Sequence, residues 1–248
     1  RLEKKIMTKN NCVISLNPNL NKFINFMIKK INTKTVKLIK YYNYINHNLI
    51  YNNKAINRYK KDIFEISVDK AENLEKLKKS ISNIKNCELK SNSTNIVFSD
   101  GNPKSKIMIL GEAPGSNEDQ EGLPFVGRAG TLLDKMLASI NLDRKSVYIS
   151  NIINYRPPEN RKPTDEEINR YLPFIKKHIE IIAPKILILL GGTAMNALIG
   201  NDVVISKVRG QWIEKEFGHR KTSIIVTFHP AFLMRQPSQK KLAWVDLK

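Results

Sequence analysis

Four short apolar runs, separated by helical patterns, constrain the fold of this chain more than any other feature. They cover residues 106–110, 147–150, 186–190 and 224–228. Each run is too short for a typical helix and too continuous for a strand with one exposed face, so each is typical of a buried parallel strand. Strands that alternate with helices build layered sheets. The pattern predicts an α/β fold, a three-layer α/β/α domain with a short four-stranded parallel sheet.

The segments between these runs carry helix signatures. An apolar stripe runs through residues 130–140, and residues 193–199 begin another helix. Thr164 precedes three acidic residues, which is an N-cap pattern for a helix that continues to Ile182. Apolar residues also recur at three- and four-residue spacing within residues 69–84. The folded domain is therefore expected to span residues 69–248.

The positive charge of the chain is concentrated before that domain. The formal net charge is +19, and residues 1–60 hold 13 Lys or Arg and one acidic residue. Such an excess favours polyanionic partners such as DNA, RNA or anionic lipid. Residues 1–68 are predicted to form a basic, Asn-, Lys- and Ile-rich extension. A nucleic-acid-binding arm and a solvated, weakly helical segment are both compatible with its composition.

Cysteine usage and hydropathy indicate the compartment. Cys12 and Cys87 are the only cysteines, too few for a disulfide framework. The sequence has no signal peptide and no apolar run of about 18 residues, the length of a membrane span. A cytoplasmic location without a membrane partner is expected.

Polar residues follow the apolar runs at the points where strands would end. Glu112 comes after the first run, Asn151 after the second, the pair Gly191-Gly192 after the third, and His229 after the fourth. Ligands bind parallel sheets outside the carboxyl ends of the strands. One crevice is therefore expected to collect an acid, an amide, a glycine turn and an imidazole. The other histidines, at positions 47, 178 and 219, are expected on the surface.

Three segments carry a family resemblance. They are GEAPGSNEDQEGLPFVGRAGTLLD, YISNIINYRPPENRKPT and TFHPAFLMRQP, beginning at residues 111, 148 and 227. They closely resemble the three signature regions of the family 4 bacterial and archaeal uracil-DNA glycosylases, and the match covers about Cys87 to Leu247. The resemblance implies a monomeric hydrolase that flips uracil out of DNA and hydrolyses its N-glycosidic bond, the first step of base excision repair. Its partner would be uracil-containing DNA at a bacterial nucleoid.

The resemblance assigns base recognition to three residues. Phe125 would stack on the extruded base, and Asn151 would accept a hydrogen bond from uracil N3–H while donating to O4. His229 would donate to uracil O2, where negative charge grows as the bond breaks. Without the resemblance, a Phe between Pro and Val is more typical of a core, and a strand-end Asn is as typical of a loop cap.

The acids of the first motif have two alternative interpretations. The resemblance implies that Glu112 and Ala113 line the base and water site, and that Glu118 contacts the pocket through the loop leading to Phe125. Family 1 enzymes carry their water-activating Asp at the position of Ala113, which cannot do so here. Cleavage is therefore expected to depend mainly on stabilising the leaving base. Glutamates that cap a turn or form an ion pair are the alternative interpretation.

The segment after His229 is apolar, although it follows the last predicted strand as a loop. In the resembling family this loop enters the minor groove, which implies that Phe232, Leu233 or Met234 fills the gap left by the base. Arg235 would contact a phosphate. Burial of the apolar side chains beneath the C-terminal helix is the alternative.

The resemblance fails at the cysteines that hold a four-iron, four-sulfur cluster in family members. Those positions are occupied here by Ile84, Cys87, Tyr155 and Tyr171. One ligand of four remains, so neither the cluster nor another metal or cofactor is expected. A DNA-binding relative that has lost catalysis is the principal alternative function. A flavodoxin-like nucleotide-binding enzyme is disfavoured, because no phosphate motif follows the first strand.

Overall fold

The computed structural model describes residues 63–200 and 203–248. The predicted extension over residues 1–68 lies, apart from its last few residues, outside the described part of the chain. Those last residues belong to a helix, Ile63–Ser82, that covers most of the helical pattern predicted within residues 69–84.

One mixed sheet forms the centre of the described domain. Its strands are β1 (Asp100–Gly101), β2 (Ile107–Gly111), β3 (Tyr148–Asn151), β4 (Ile186–Leu190), β5 (Trp212–Phe217) and β6 (Arg220–Thr227). They lie in the order β1-β3-β2-β4-β6-β5. The four central strands are parallel, as predicted, while β1 and β5 add antiparallel edges. The sheet of the described residues thus has six strands rather than four.

The additional edge strands lack the signal on which the four-strand prediction rested. β5 and the first six residues of β6 form a hairpin in which Phe217 pairs with Arg220. Along β5 the more exposed positions carry Trp212, Glu214 and Glu216, so no continuous apolar run exists there. Edge strands face solvent and tolerate charged side chains, which reduce pairing with other chains.

Nine helices of the described residues surround the sheet. They are α1 (Ile63–Ser82), α2 (Glu88–Ser91), α3 (Ser116–Glu121), α4 (Arg128–Ala138), α5 (Asp165–Ile182), α6 (Gly192–Leu198), α7 (Ile205–Val208), α8 (Pro230–Arg235) and α9 (Lys240–Leu247). The predicted start of α5 is confirmed: the Thr164 hydroxyl accepts from Glu167 N–H at 3.2 Å, and the Glu167 carboxylate accepts from Thr164 N–H at 2.8 Å. No helix in this part of the chain is both long and apolar enough to span a bilayer.

Alternating strand residues separate two hydrophobic clusters. Met108 and Leu110 pack in the larger cluster, together with side chains of α1 and α5. Ile109 lies in the other cluster with Leu133 and Leu137 of α4. Because side chains of a strand alternate between its two faces, helices cover both faces of the sheet. The predicted α/β/α layering is confirmed.

His178 is buried, so the expectation that it lies on the surface is wrong. It follows Ile175 by three positions on α5 and therefore faces the same core. Its Nε2 lies 2.8 Å from the Tyr148 hydroxyl, and its ring stacks on Phe98 at 4.6 Å. Burial lowers the pKa of His178 to about 3, so the imidazole is neutral at physiological pH. His219 is exposed as expected, and His47 lies outside the described residues.

Candidate active site

The carboxyl ends of the central strands border a cavity of about 190 Å³. Its lining includes all six pocket residues predicted from the sequence: Glu112, Ala113, Glu118, Phe125, Asn151 and His229. Pockets for drug-sized ligands usually measure roughly 300–1,000 Å³. The cavity is therefore suited to a smaller molecule, of the size of a single aromatic ring.

Asn151 lines this cavity and carries an unpaired acceptor. It ends β3, where it pairs in register with Gly111 of β2, and it is only 2% exposed. Its Oδ1 atom has no hydrogen-bond partner among the described residues. A buried polar atom without a partner is costly, so a ligand with an N–H or O–H donor would stabilise this arrangement.

Gly111 allows Asn151 and Phe125 to approach each other. A Cβ atom at Gly111 would lie 2.5 Å from the Asn151 Oδ1 atom and 2.5 Å from the Phe125 Cζ atom. Any larger residue would displace one of these two groups. Phe125 also packs in the hydrophobic cluster with Ile109, so its ring is both a core side chain and a wall of the cavity.

His229 faces the ring of Phe125, with centroids 5.6 Å apart. It caps α8, and its Nδ1 atom accepts a hydrogen bond from Ala231 N–H at 3.2 Å. Burial, followed by the positive charge of Arg235, lowers the pKa of His229 to about 4. The neutral ring with Nδ1 as acceptor carries its proton on Nε2. This histidine is therefore a neutral hydrogen-bond donor.

The two glutamates are held in different ways. Glu118 accepts from Gly115 N–H at 3.1 Å and from Gly127 N–H at 2.8 Å, so its carboxylate links the turn after β2 to the loop that follows Phe125. The Glu112 carboxylate accepts a hydrogen bond from the Thr193 hydroxyl. Glu118 thus shapes the cavity through the backbone, in agreement with the alternative that it caps a turn. Glu112 is fixed by a side chain of α6.

Several residues around the cavity were not singled out from the sequence. Asn160 and Arg161 line it from the loop before α5, and Thr193 positions Glu112. Arg144 also contacts the loop of Phe125. Thr193 follows a strand end, which is a signal that could have identified it. Arg144 lies in a charged loop far along the chain from Phe125, and no local pattern marks it.

Comparison with known proteins shows the family of the chain. Residues 98–248 match the family model described as the uracil DNA glycosylase superfamily. The chain is 39% identical over 182 residues to the type-4 uracil-DNA glycosylase of Sulfurisphaera tokodaii, covering 71% of this chain and 83% of that protein. The chain belongs to the type-4 uracil-DNA glycosylase family.

Two further relatives agree with this assignment. The type-4 uracil-DNA glycosylase of Thermotoga maritima is 43% identical over 155 residues, which cover 62% of this chain and 79% of that protein. The type-4 enzyme of Archaeoglobus fulgidus is 38% identical over 181 residues, covering 71% and 91%. The alignments thus span most of each relative.

The segment after His229 differs from the loop expected for a uracil-DNA glycosylase of this family. Residues 230–235 form the short helix α8, so the loop prediction is wrong. Leu233 is completely buried against Phe228 and Ala243, as the alternative of burial beneath the C-terminal helix requires. Phe232 is partly buried and packs against Phe228, with tilted rings whose centroids are 5.0 Å apart. Met234 is partly exposed and Arg235 is exposed, so these two remain available at the surface.

The positions that carry cluster cysteines in this family converge on one site. The Cys87 sulfur lies 3.4 Å from the Tyr171 hydroxyl, and Tyr155 is buried in the same hydrophobic cluster. Ile84 packs against that cluster from its edge. Four thiolates normally hold an iron–sulfur cluster, and this site offers one thiol, two phenols and an aliphatic side chain. These residues do not fit the cluster.

Proposed function

We propose that this protein flips uracil out of DNA and hydrolyses the bond between the base and deoxyribose, leaving an abasic site as the first step of base excision repair. Its family membership supports this activity. The cavity supports it independently, because its walls supply an aromatic ring, an amide and an imidazole. These are the groups that an enzyme acting on an extruded base needs.

The observation that carries the proposal is the buried, unpaired Oδ1 atom of Asn151. Uracil carries a hydrogen on N3, whereas the N3 atom of cytosine is an acceptor. Asn151 therefore accepts a hydrogen bond from uracil and opposes cytosine with a second acceptor. Buried polar atoms left without partners in this way can produce strong discrimination between related ligands.

His229 promotes the departure of the base. As the bond between C1′ and N1 breaks, its electron pair moves onto uracil and charge grows at O2. The Nε2–H group of His229 donates to that oxygen, and such a preorganised donor can contribute about 3–4 kcal/mol to the transition state. Water then adds to C1′ and releases a proton, which neutralises the uracil anion.

The remaining lining residues assist cleavage of the bond between base and sugar, but they do not strongly activate the water. Glu112 places a carboxylate beside the sugar, where its negative charge stabilises the cationic C1′. Ala113 leaves room for the water but has no basic group. Glu118 positions the turn and the Phe125 loop through its two backbone hydrogen bonds. Catalysis thus depends mainly on stabilising the leaving group.

We further propose that the protein works as a monomer and without a cofactor. One chain supplies the six predicted lining residues of the cavity. Tyr155 and Tyr171 pack beside Cys87 where the family's cluster would lie. The aromatic packing replaces the cluster as a structural element. The nucleoid, where the substrate DNA lies, is the proposed place of action.

A comparison of two Asn151 variants tests the recognition scheme. Asn151→Asp, when protonated at one oxygen, can donate to cytosine N3 and accept from the cytosine amino group, so excision of uracil should fall and excision of cytosine should become detectable. Asn151→Ala should lose uracil excision without gaining cytosine. The measurement is cleavage at the abasic product of uracil- and cytosine-containing oligonucleotides under alkali. If the unmodified chain leaves uracil untouched, it is a DNA-binding relative rather than a glycosylase.

A further inference from the structure

The backbone of Phe125 is held in a conformation that a bulky residue does not adopt freely. Its φ is +55°, in the left-handed region. Large side chains occupy that region only where the surrounding structure imposes it. The conformation matters because it directs the ring between the core and the cavity.

Arg144 supplies the restraint. Its guanidinium donates to the carbonyl oxygen of Pro124 at 3.1 Å and also to that of Phe125. The same group is held by two carboxylates, Asp100 at 2.7 Å and Asp134 at 2.8 Å. A guanidinium presents its donors in a rigid planar fork, so these four hydrogen bonds fix its position and orientation. Arg144 thereby anchors the Phe125 loop to β1 and α4.

Helix α4 completes the restraint from the other side. A Cβ atom at Gly130 would lie 1.6 Å from the Phe125 carbonyl oxygen, so that carbonyl sits directly against the helix. The oxygen is thus confined between Gly130 and the Arg144 guanidinium. A peptide confined on both sides has little freedom to rotate, and the ring direction follows from it.

We propose that Arg144 is a positioning residue of the glycosylase reaction: it holds the Phe125 ring in the orientation that stacks on the extruded base. This inference rests on the proposed stacking role of Phe125. Arg144 itself does not line the cavity. Arg144 contributes to excision only by orienting the Phe125 ring. Its contribution is therefore lost when Phe125 is replaced by Ala.

A double-mutant cycle tests this dependence. Phe125→Ala should reduce single-turnover excision of uracil by roughly 5- to 150-fold, the loss of one base–ring stack. Arg144→Ala should cause a loss within the same range. The double variant should be no slower than the more impaired single variant, because both changes remove the same interaction. Losses that multiply in the double variant would overturn the proposal, as would an Arg144→Ala variant that excises at the unmodified rate.

A spectroscopic signal separates positioning from loss of fold. 2-Aminopurine placed beside the uracil brightens when the base leaves the stack, and its amplitude in stopped flow should fall in Arg144→Ala at a temperature where the variant is folded. If Arg144→Ala does not fold, Arg144→Lys retains the charge beside Asp100 but lacks the fork, and it should show the same reduced amplitude. An unchanged amplitude in a folded variant would contradict the proposal.

Arg170 provides a matched control. Its guanidinium also donates to two backbone carbonyls, Asn86 at 2.6 Å and Lys85 at 2.5 Å, but it does not line the cavity. Arg170→Ala should leave both excision and the fluorescence amplitude unchanged. If Phe125→Ala excises uracil at the rate of the unmodified chain, the stacking role of Phe125 is refuted. The Phe125→Ala variant therefore tests that role separately from the role of Arg144.

Discussion

Asn151 and His229 line one cavity and carry complementary hydrogen-bonding groups. Asn151 offers an oxygen that has no partner among the described residues, and His229 offers a neutral Nε2–H donor because Nδ1 accepts from Ala231. Uracil carries a matching donor at N3 and a matching acceptor at O2. In the proposed mechanism, Asn151 selects the base and His229 stabilises it as it leaves.

His229 should contribute to the rate more than to binding. Replacing it with Ala should lower the single-turnover rate of uracil excision by about 100-fold or more, since its hydrogen bond strengthens mainly in the transition state. Affinity for uracil-containing DNA should change little. Rapid-quench kinetics and a binding titration measure the two quantities. His219→Ala, in the exposed hairpin turn, is the control and should retain the full rate.

The same prediction has a signature in pH. Burial and the charge of Arg235 disfavour the charged imidazole and lower the pKa of His229 to about 4. The residue therefore stays neutral across about pH 5 to 8, the range in which an ordinary histidine titrates. The rate profile should show no step from His229 in that range. An inflection near the ordinary histidine pKa that vanishes in His229→Ala would contradict this.

Helix α8 links His229 of the cavity to the proposed DNA surface. Leu233 is buried on one side of the helix, whereas Arg235 in the last turn is exposed. His229 caps the first turn and lines the cavity, whereas the last turn lies at the surface. Met234 and Arg235 are consequently the residues of the helix best placed to meet DNA.

Arg235→Ala tests that surface. Loss of one phosphate contact should weaken binding to any DNA sequence and reduce the slope of log affinity against log salt by about 1. Fluorescence anisotropy at several salt concentrations provides the slope. Arg220→Ala removes the same charge at the amino end of β6, the opposite edge of the parallel strands, and should not reduce the slope as much. Equal slopes for Arg235→Ala and the unmodified chain would assign Arg235 a structural role.

At the scale of the whole molecule, two aromatic side chains stand at positions that carry cluster cysteines in this family. Tyr155 and Tyr171 are buried with Cys87 in the larger hydrophobic cluster. Burial raises the pKa of both phenols, so they stay protonated and pack as neutral rings. A domain of this length buries enough surface to fold without a metal.

The purified protein should therefore be colourless and active without iron. Iron analysis should find none, and a chelator should change neither the thermal midpoint nor the excision of uracil, because only one of the four cluster positions carries a cysteine. The variant with Ile84→Cys, Tyr155→Cys and Tyr171→Cys has a cysteine at all four cluster positions and is the comparison for iron uptake. A brown preparation of the unmodified chain, with absorbance near about 400 nm and about four irons, would refute the prediction.

The sequence by itself determined the central sheet, the main helices and the set of strand-end residues. Continuous apolar runs identify buried parallel strands because both faces of such strands are covered. The capping pattern at Thr164 identified a helix start from neighbouring residues alone. Since parallel strands end at a common edge, the convergence of Asn151 and His229 could also be inferred.

Only the tertiary structure decided which polar and apolar residues face inward. His178 and Leu233 are buried by neighbours distant in sequence, and the charged edge strand β5 is recognised only through its pairing with β6. Arg144 meets the Phe125 carbonyl across a gap of 19 residues. The physical reason is that local patterns record a helix stripe or a strand run, whereas these contacts depend on how separate elements pack.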